Sequence, residues 1–407
     1  MANFLDPSLK YQLNLARIEA GQKMTDKKFP KDFLFGSATS AHQIEGHQYN
    51  DWSEWEKLGK IKNGDSASVA ADSFHKWRED IELLKKSSQN AYRFSIEWSR
   101  IEPEEGKFDR DAIDHYRQIL KELRTNKITS MVTLFHFTLP VWLDKKGGFT
   151  SSRFPEYFAR FAEKTTKELG DLIDIFATFN EPNVYISSGF LFGNWYPGRK
   201  NDFLGAYKTY RNFIKAHRLA YRAIKKYSKS AIGPVINITA LFPLKNNVLD
   251  PLLCKIAKYF GWKIFIRPIL KECDFIGVNY YARKFLHVGK QMMREDHPYK
   301  PNGWRENQKA LTEVLIDQKE WKKPIYVTEN GVPDDDDDVR PEFLEEAFTA
   351  MARAIENKVD VRGYFYWSLL DNFEWTSGYS MKFGLHTIDR KTRGSAKVYK
   401  EIIEKLS

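Results

Sequence analysis

Eight short apolar runs, separated by stretches of helical periodicity, limit the folds open to this chain more than any other feature. They are FLFGSAT (33–39), AYRFSIEW (91–98), MVTLFHF (131–137), IFATFNE (175–181), AIGPVINI (231–238), DFIGVNYY (274–281), PIYVTEN (324–330) and GYFYWSLL (363–370). The intervening stretches carry apolar residues at helical spacing, as in AIDHYRQILKEL (112–123) and FPEYFARFAEKTTKEL (154–169). Strands alternating with helices pair in parallel through right-handed crossovers, and eight such units predict an α/β chain closed into a single (β/α)8 barrel, the TIM barrel. A chain of 407 residues is long for one domain, but barrels with insertions reach this size. No repeat or low-complexity linker divides it, so residues 28–407 are read as the barrel. Residues 1–27 are read as an N-terminal extension, with a helix over LKYQLNLARIEAG packed on the barrel.

The runs also agree in where their polarity sits. Each begins apolar and carries a hydrogen-bonding group within it, at its end or just beyond. In chain order these are Gln43, Arg93, His136, Asn180 with Glu181, Asn237, Asn279 with Tyr281, Glu329, and Trp367 followed by Glu374. A parallel barrel gathers all these ends at one rim, where barrel active sites are built. One strand-end histidine or asparagine usually caps a loop; eight polar ends on one rim point to a site. Six carboxylates compete for a role there: Glu45, Glu97, Glu181, Glu329, Asp371 and Glu374. Glu181 and Glu329 stand out because each directly ends an apolar strand beside an asparagine. Two carboxyls across a pocket, one protonated and one ionised, are what cleavage of a glycosidic bond requires. Residue patterning alone leaves open that both are structural glutamates bonded to nearby backbone.

Composition excludes several classes. The formal charge is +10, but the basic residues interleave with acids in stretches such as WREDIELLKK (77–86), and no basic block carries a stacking motif, which argues against nucleic acid. The acidic run Asp334–Asp338 reads as an exposed loop after a strand. Cys254 and Cys273 make no disulfide framework, and neither CxxC nor HExxH spacing offers a metal site. No 18-residue apolar run and no leader-like N-terminus are present, so a soluble cytoplasmic protein is expected, and the Asn237-Ile238-Thr239 sequon is set aside. Eleven Trp, 20 Tyr and 29 Phe exceed the needs of a plain core, and their rings suit the faces of sugars.

TFNEPN (178–183) and YVTENG (326–331) resemble the two signature motifs of the family 1 glycoside hydrolases, the β-glucosidase family. FPKDFLFGSATSAHQIEG (29–46), NAYRFSIEWSRI (90–101), VTLFHFTLP (132–140), DFIGVNYY and YFYWSLLDNFEWTSGYSMKFGLHTID (364–389) match in the same order. The resemblance implies a (β/α)8 retaining glycosidase with Glu181 as general acid/base and Glu329 as nucleophile, needing no metal and no cofactor. It implies that Arg93, Tyr281 and Asn279 support the nucleophile and that Asn180 binds the sugar 2-hydroxyl. Gln43, His136, Glu374 and Trp375 match its glycone site, and Trp367 the platform under the sugar. The implied substrates are small β-glycosides or oligosaccharides with a neutral terminal sugar, because Glu374 would repel a 6-phosphate. Glucose is the first expectation, with galactose, fucose and mannose open, as are the natural aglycone and the oligomeric state. A retaining transglycosylase and a non-catalytic sugar-binding protein are the alternatives. The chain departs from the family pattern in three places. Phe137-Thr138 stands where many members have Trp-Asp, the stretch from Asn237 to Asn279 is short, which would thin the aglycone wall, and residues 1–27 precede the usual start.

Overall fold

The computed structural model describes residues 29–245, 247–288 and 308–407, together with the strand backbone of 293–296. Its centre is a closed barrel of eight parallel strands: β1 Leu34–Ala38, β2 Ala91–Ser95, β3 Thr129–Phe135, β4 Ile175–Asn180, β5 Ala231–Asn237, β7 Ile276–Asn279, β10 Ile325–Asn330 and β11 Val361–Trp367. They stand around the barrel in chain order, and β1 closes it by pairing with both β2 and β11. All eight apolar runs form barrel strands. Such strands are covered on both faces, which is why they read as continuous rather than alternating apolar runs; all six residues of β10 are buried. Helices ring the outside. Arg110–Thr125, for instance, turns Ala112, Ile113, Tyr116, Ile119, Leu120 and Leu123 inward and is capped by Asp109, which accepts from the Ala112 amide.

The two strands that bear the prominent carboxylates are irregular just before them. The β4 ladder shifts register between Ala177 and Asn180, and β10 shifts between Val327 and Glu329 against β7 and between Val327 and Asn330 against β11. A bulge re-aims the residues that follow it, so Glu181 and Glu329 turn into the barrel mouth instead of keeping the strict alternation of a regular strand. Glu181 itself has a left-handed backbone (φ 44°). Gly331, just past β10, has no room for a side chain, because a Cβ there would lie 1.8 Å from the Trp367 carbonyl oxygen.

Local bounds differ from the sequence reading where polarity, not strand pairing, continues the run. β3 stops at Phe135, leaving His136 and Phe137 on the loop above the rim, and β11 stops at Trp367. The short stretch after Asn237 is not bare. It forms β6 (Ala240–Pro243), which pairs with β8 (Arg283–Leu286), itself paired with β9 (Met293–Asp296) in a small sheet at the mouth. The acidic run is also more than a loop. Asp334 accepts from the amides of Val339 and Arg340, and the buried Arg340 guanidinium reaches Asp337 and the Asp334 carbonyl, so the run anchors the start of helix Arg340–Glu356. The extension at residues 1–27 lies outside the described residues. Among the described residues no helix is long and apolar enough to cross a membrane.

Candidate active site

A cavity of about 320 Å³ opens at the carboxyl end of the barrel. Among its lining residues are Gln43, His136, Glu181, Tyr281, Glu329, Trp367, Glu374 and Trp375, drawn from segments that span positions 43 to 375 of the sequence. Of the six competing carboxylates only Glu181, Glu329 and Glu374 reach it. Glu45 is held by Arg100 at 2.8 Å and by the Tyr116 hydroxyl at 2.9 Å. Glu97 caps the helix at Trp98 and accepts from Thr138, and Asp371 is clamped by Arg393.

Glu181 and Glu329 are both buried but differently surrounded. Arg93 donates to Glu329 Oε1 at 2.6 Å and Tyr281 donates to its Oε2 at 2.7 Å. Among the described residues no cation touches Glu181; Asn237 and Asn279 both donate to its Oε1, at 2.9 and 2.8 Å. Burial first, and then the Glu329 carboxylate, push Glu181 up to about 8. Burial raises Glu329 as well, against the pull of Arg93 and Tyr281. The proton therefore resides on Glu181 and the charge on Glu329. With Oε1 of Glu181 accepting twice, Oε2 is the oxygen that carries the proton.

Arg93 also donates to Asn180 Oδ1 at 2.7 Å, which orients that amide and aims its nitrogen at His136 Nε2, 3.2 Å away. Burial and the nearby guanidinium hold the His136 imidazole well below its usual range, so it is neutral. Since Nε2 accepts from Asn180, the proton sits on Nδ1, a buried donor with no partner among the described residues. An orphaned donor in a cavity wall is a place for a ligand hydroxyl. Glu374 accepts from the Trp367 indole at 3.0 Å, and burial leads the causes that push it up to about 8. Trp375 stacks on His42, with ring centroids 5.6 Å apart. Gln43 donates to Asn372 and to the Phe373 carbonyl and accepts from Ser40, which fixes its amide at the cavity floor.

All eleven residues singled out from sequence gather here. Asn279 differs in emphasis: its amide donates to Asn180 Oδ1 and Glu181 Oε1 as well as favouring the ionised Glu329, so it does not serve Glu329 alone. Two residues were underrated. Asn237, noted only as a strand end and as a sequon, bonds Glu181 directly. Trp195 lines the cavity and packs edge-on against Phe137 at 5.2 Å, and no strand-end rule could find it, because it lies on the loop beyond β4.

A (β/α)8 barrel whose rim holds a protonated and an ionised carboxyl across a hydroxyl-binding cavity has the makings of a glycosidase. The model of Glycosyl hydrolase family 1 matches residues 25–275 and 265–407, and the chain belongs to this family and is a glycosidase. It is 32% identical to a 1,4-beta-D-glucan glucohydrolase of Thermotoga neapolitana, over 90% of this chain and 99% of that protein. It is likewise 32% identical to Beta-glucosidase A of Thermotoga maritima, over 91% and 95%. Among solved structures, a family 1 β-glucosidase of T. maritima in complex with isofagomine lactam superposes with a TM-score of 0.87 at 30% identity, covering 93% of this chain and 99% of that one. A β-glycosidase of Pyrococcus horikoshii gives a TM-score of 0.85 at 37% identity, covering 93% and 95%.

Proposed function

We propose that the protein is a retaining exo-β-glycosidase, with a terminal β-glucosyl residue as its main glycone, working by double displacement between Glu181 and Glu329. The observation that carries this reading is the unequal environment of two buried carboxyls in one cavity. Glu329, ionised by Arg93 and Tyr281, attacks the anomeric carbon while Glu181 Oε2 gives its proton to the departing oxygen. Forming the glycosyl ester removes the Glu329 charge that had been raising Glu181. With that repulsion gone Glu181 is a stronger acid than before, so having given up its proton it stays ionised and, as general base, takes a proton from the incoming water. The same chemical step thus resets the second group. Asn180, held by Arg93, is placed to meet the sugar 2-hydroxyl. His136 Nδ1, Gln43 and Glu374 face the remaining hydroxyls, and Trp367 and Trp375 offer apolar faces to the ring. A neutral sugar fits three carboxyl groups around one cavity; a phosphorylated one would add a fourth acid to them.

Incubation with a 2-deoxy-2-fluoro-β-glucoside bearing a good leaving group tests the assignment. A covalent adduct on the peptide containing Glu329 is expected, and an adduct on another residue or a first product of inverted configuration would overturn it.

A further inference from the structure

Apolar exposure and positive charge coincide on one side of the barrel. Of the large apolar side chains exposed among the described residues, all but Tyr49, Leu58 and Val69 fall between Phe192 and Val288. On helix Leu249–Lys258 and the turn after it, Leu249, Leu252, Ile256 and Phe260 recur at helical spacing on the outward face, while Asp250 and Cys254 face inward. Phe203, Leu204 and Tyr207 are exposed at the start of helix Phe203–Lys225. Tyr210 joins the two groups: it donates to the Ile264 carbonyl at 3.2 Å, and its phenol feels both Tyr207 and Tyr259. Residues 199–229 contain ten basic and one acidic residue, and residues 245–272 six basic and two acidic, so both segments are strongly basic. Some of these cations are paired, as Lys258 is with Asp317, but Lys208, Arg211 and Lys255 are exposed with no carboxylate partner among the described residues. Arg211 and Arg267 lie over the rings of Tyr207 and Tyr259.

We infer that this face seats the enzyme on a lipid bilayer bearing anionic headgroups, without any span crossing it. Apolar side chains projecting from a helix with a lysine and arginine collar match the physics of an interfacial surface, in which the apolar tips enter the headgroup boundary and the cations meet lipid phosphates. A patch of this kind is unusual on a freely soluble monomer. A second copy is the poorer occupant, because it would press two collars of the same sign together. The seat lies beside the active-site mouth. Asn183, two residues past Glu181, donates to both the Asn237 and the Gly261 carbonyls, so the turn carrying Phe260 is fastened to the rim.

The test is flotation of the full-length protein with vesicles of phosphatidylcholine, alone or with roughly a third phosphatidylglycerol, at low salt and at about 0.5 M NaCl. Binding at least about tenfold stronger to the anionic vesicles, and weakened by salt, is expected. The variant Leu252→Ser/Ile256→Ser/Phe260→Ser should lose binding to both vesicle types. Lys208→Gln/Arg211→Gln/Lys255→Gln should lose only the preference for anionic lipid. Both should keep wild-type rates on a soluble aryl glucoside, which reports the fold and leaves the glycosidase reading untouched. Absence of flotation, flotation unchanged in both variants, or a dimer in sedimentation equilibrium that the first variant dissociates would each overturn the inference.

Discussion

The side chain of Glu181 has to be protonated to start the reaction and ionised to finish it, and its surroundings set when each happens. Held up to about 8 by burial and by Glu329, it keeps its proton at neutral pH and loses it above that value. The alkaline limb of the kcat/KM profile is therefore expected near pH 8 for the wild type. In Glu181→Gln the limb should vanish, with rates on alkyl glucosides falling by about 100-fold or more while activated aryl substrates lose far less. Profiles over pH 5–10 on both substrate types check this, and an unchanged alkaline limb in the variant would show that another group carries the proton. Phe137 is a second residue whose environment alters the sequence expectation. By resemblance it stands where many family members carry a tryptophan, so Phe137→Trp would bring back an indole N–H. In the fold it is buried at φ 71° between the edges of Trp195 and Trp375, each 5.2 Å away. A larger ring there overpacks the cluster. Phe137→Trp is expected to cost about 1–3 kcal/mol in urea unfolding without improving kcat/KM for any glycone.

At the scale of elements, the nucleophile depends on how β10 is pinned to its neighbours. Asn330, next to Glu329, donates to the Tyr280 carbonyl at 2.7 Å and accepts from Gln308 at 2.8 Å and from Tyr364 at 3.2 Å. These bonds tie the bulged end of the strand to β7, β11 and the segment before helix Leu311–Gln318. Asn330→Ala leaves buried partners unpaired on three sides, a loss of roughly 2–3 kcal/mol. Because the bulge aims Glu329, kcat should fall more than KM rises. Denaturant melts and steady-state kinetics measured together decide it: a loss of stability with kcat intact would mean the bulge holds without this residue.

For the whole molecule, the active site is a stability liability that grows with pH. Glu181 and Glu374, both near 8 when folded against 4.5 as their ordinary value, bind protons more tightly in the native state. Their favourable contribution is full below about pH 4.5 and is lost as pH rises through about 8. Glu181→Gln removes one of these groups. Its stability relative to wild type should therefore climb between pH 5 and 8, by about 4 kcal/mol, and level off above that. Urea unfolding of both proteins at pH 5, 7 and 9 measures the difference, and a constant offset across that range would contradict the linkage.

Much of this was legible without coordinates. Apolar runs of strand length separated by helical periods leave a parallel barrel as the natural closure, and parallel strands place every carboxyl end on one rim, so ten of the eleven site residues could be gathered by position, while Trp375 and the role of each residue came from the family resemblance. Composition could not do as well. The basic residues that seemed dispersed along the chain converge on one side only when the helix Phe203–Lys225 and the helix Leu249–Lys258 are packed on neighbouring parts of the barrel. Patterning singled out Glu181 and Glu329, and the family resemblance added Glu374, but neither shows which groups tie Glu45, Glu97 and Asp371 away from the cavity or set each carboxyl's proton. That choice belongs to tertiary structure. Arg93, Tyr281 and Asn237 come from three different strands or their ends, and burial in a shared low-dielectric cavity makes each carboxyl's proton depend on groups far away in the chain.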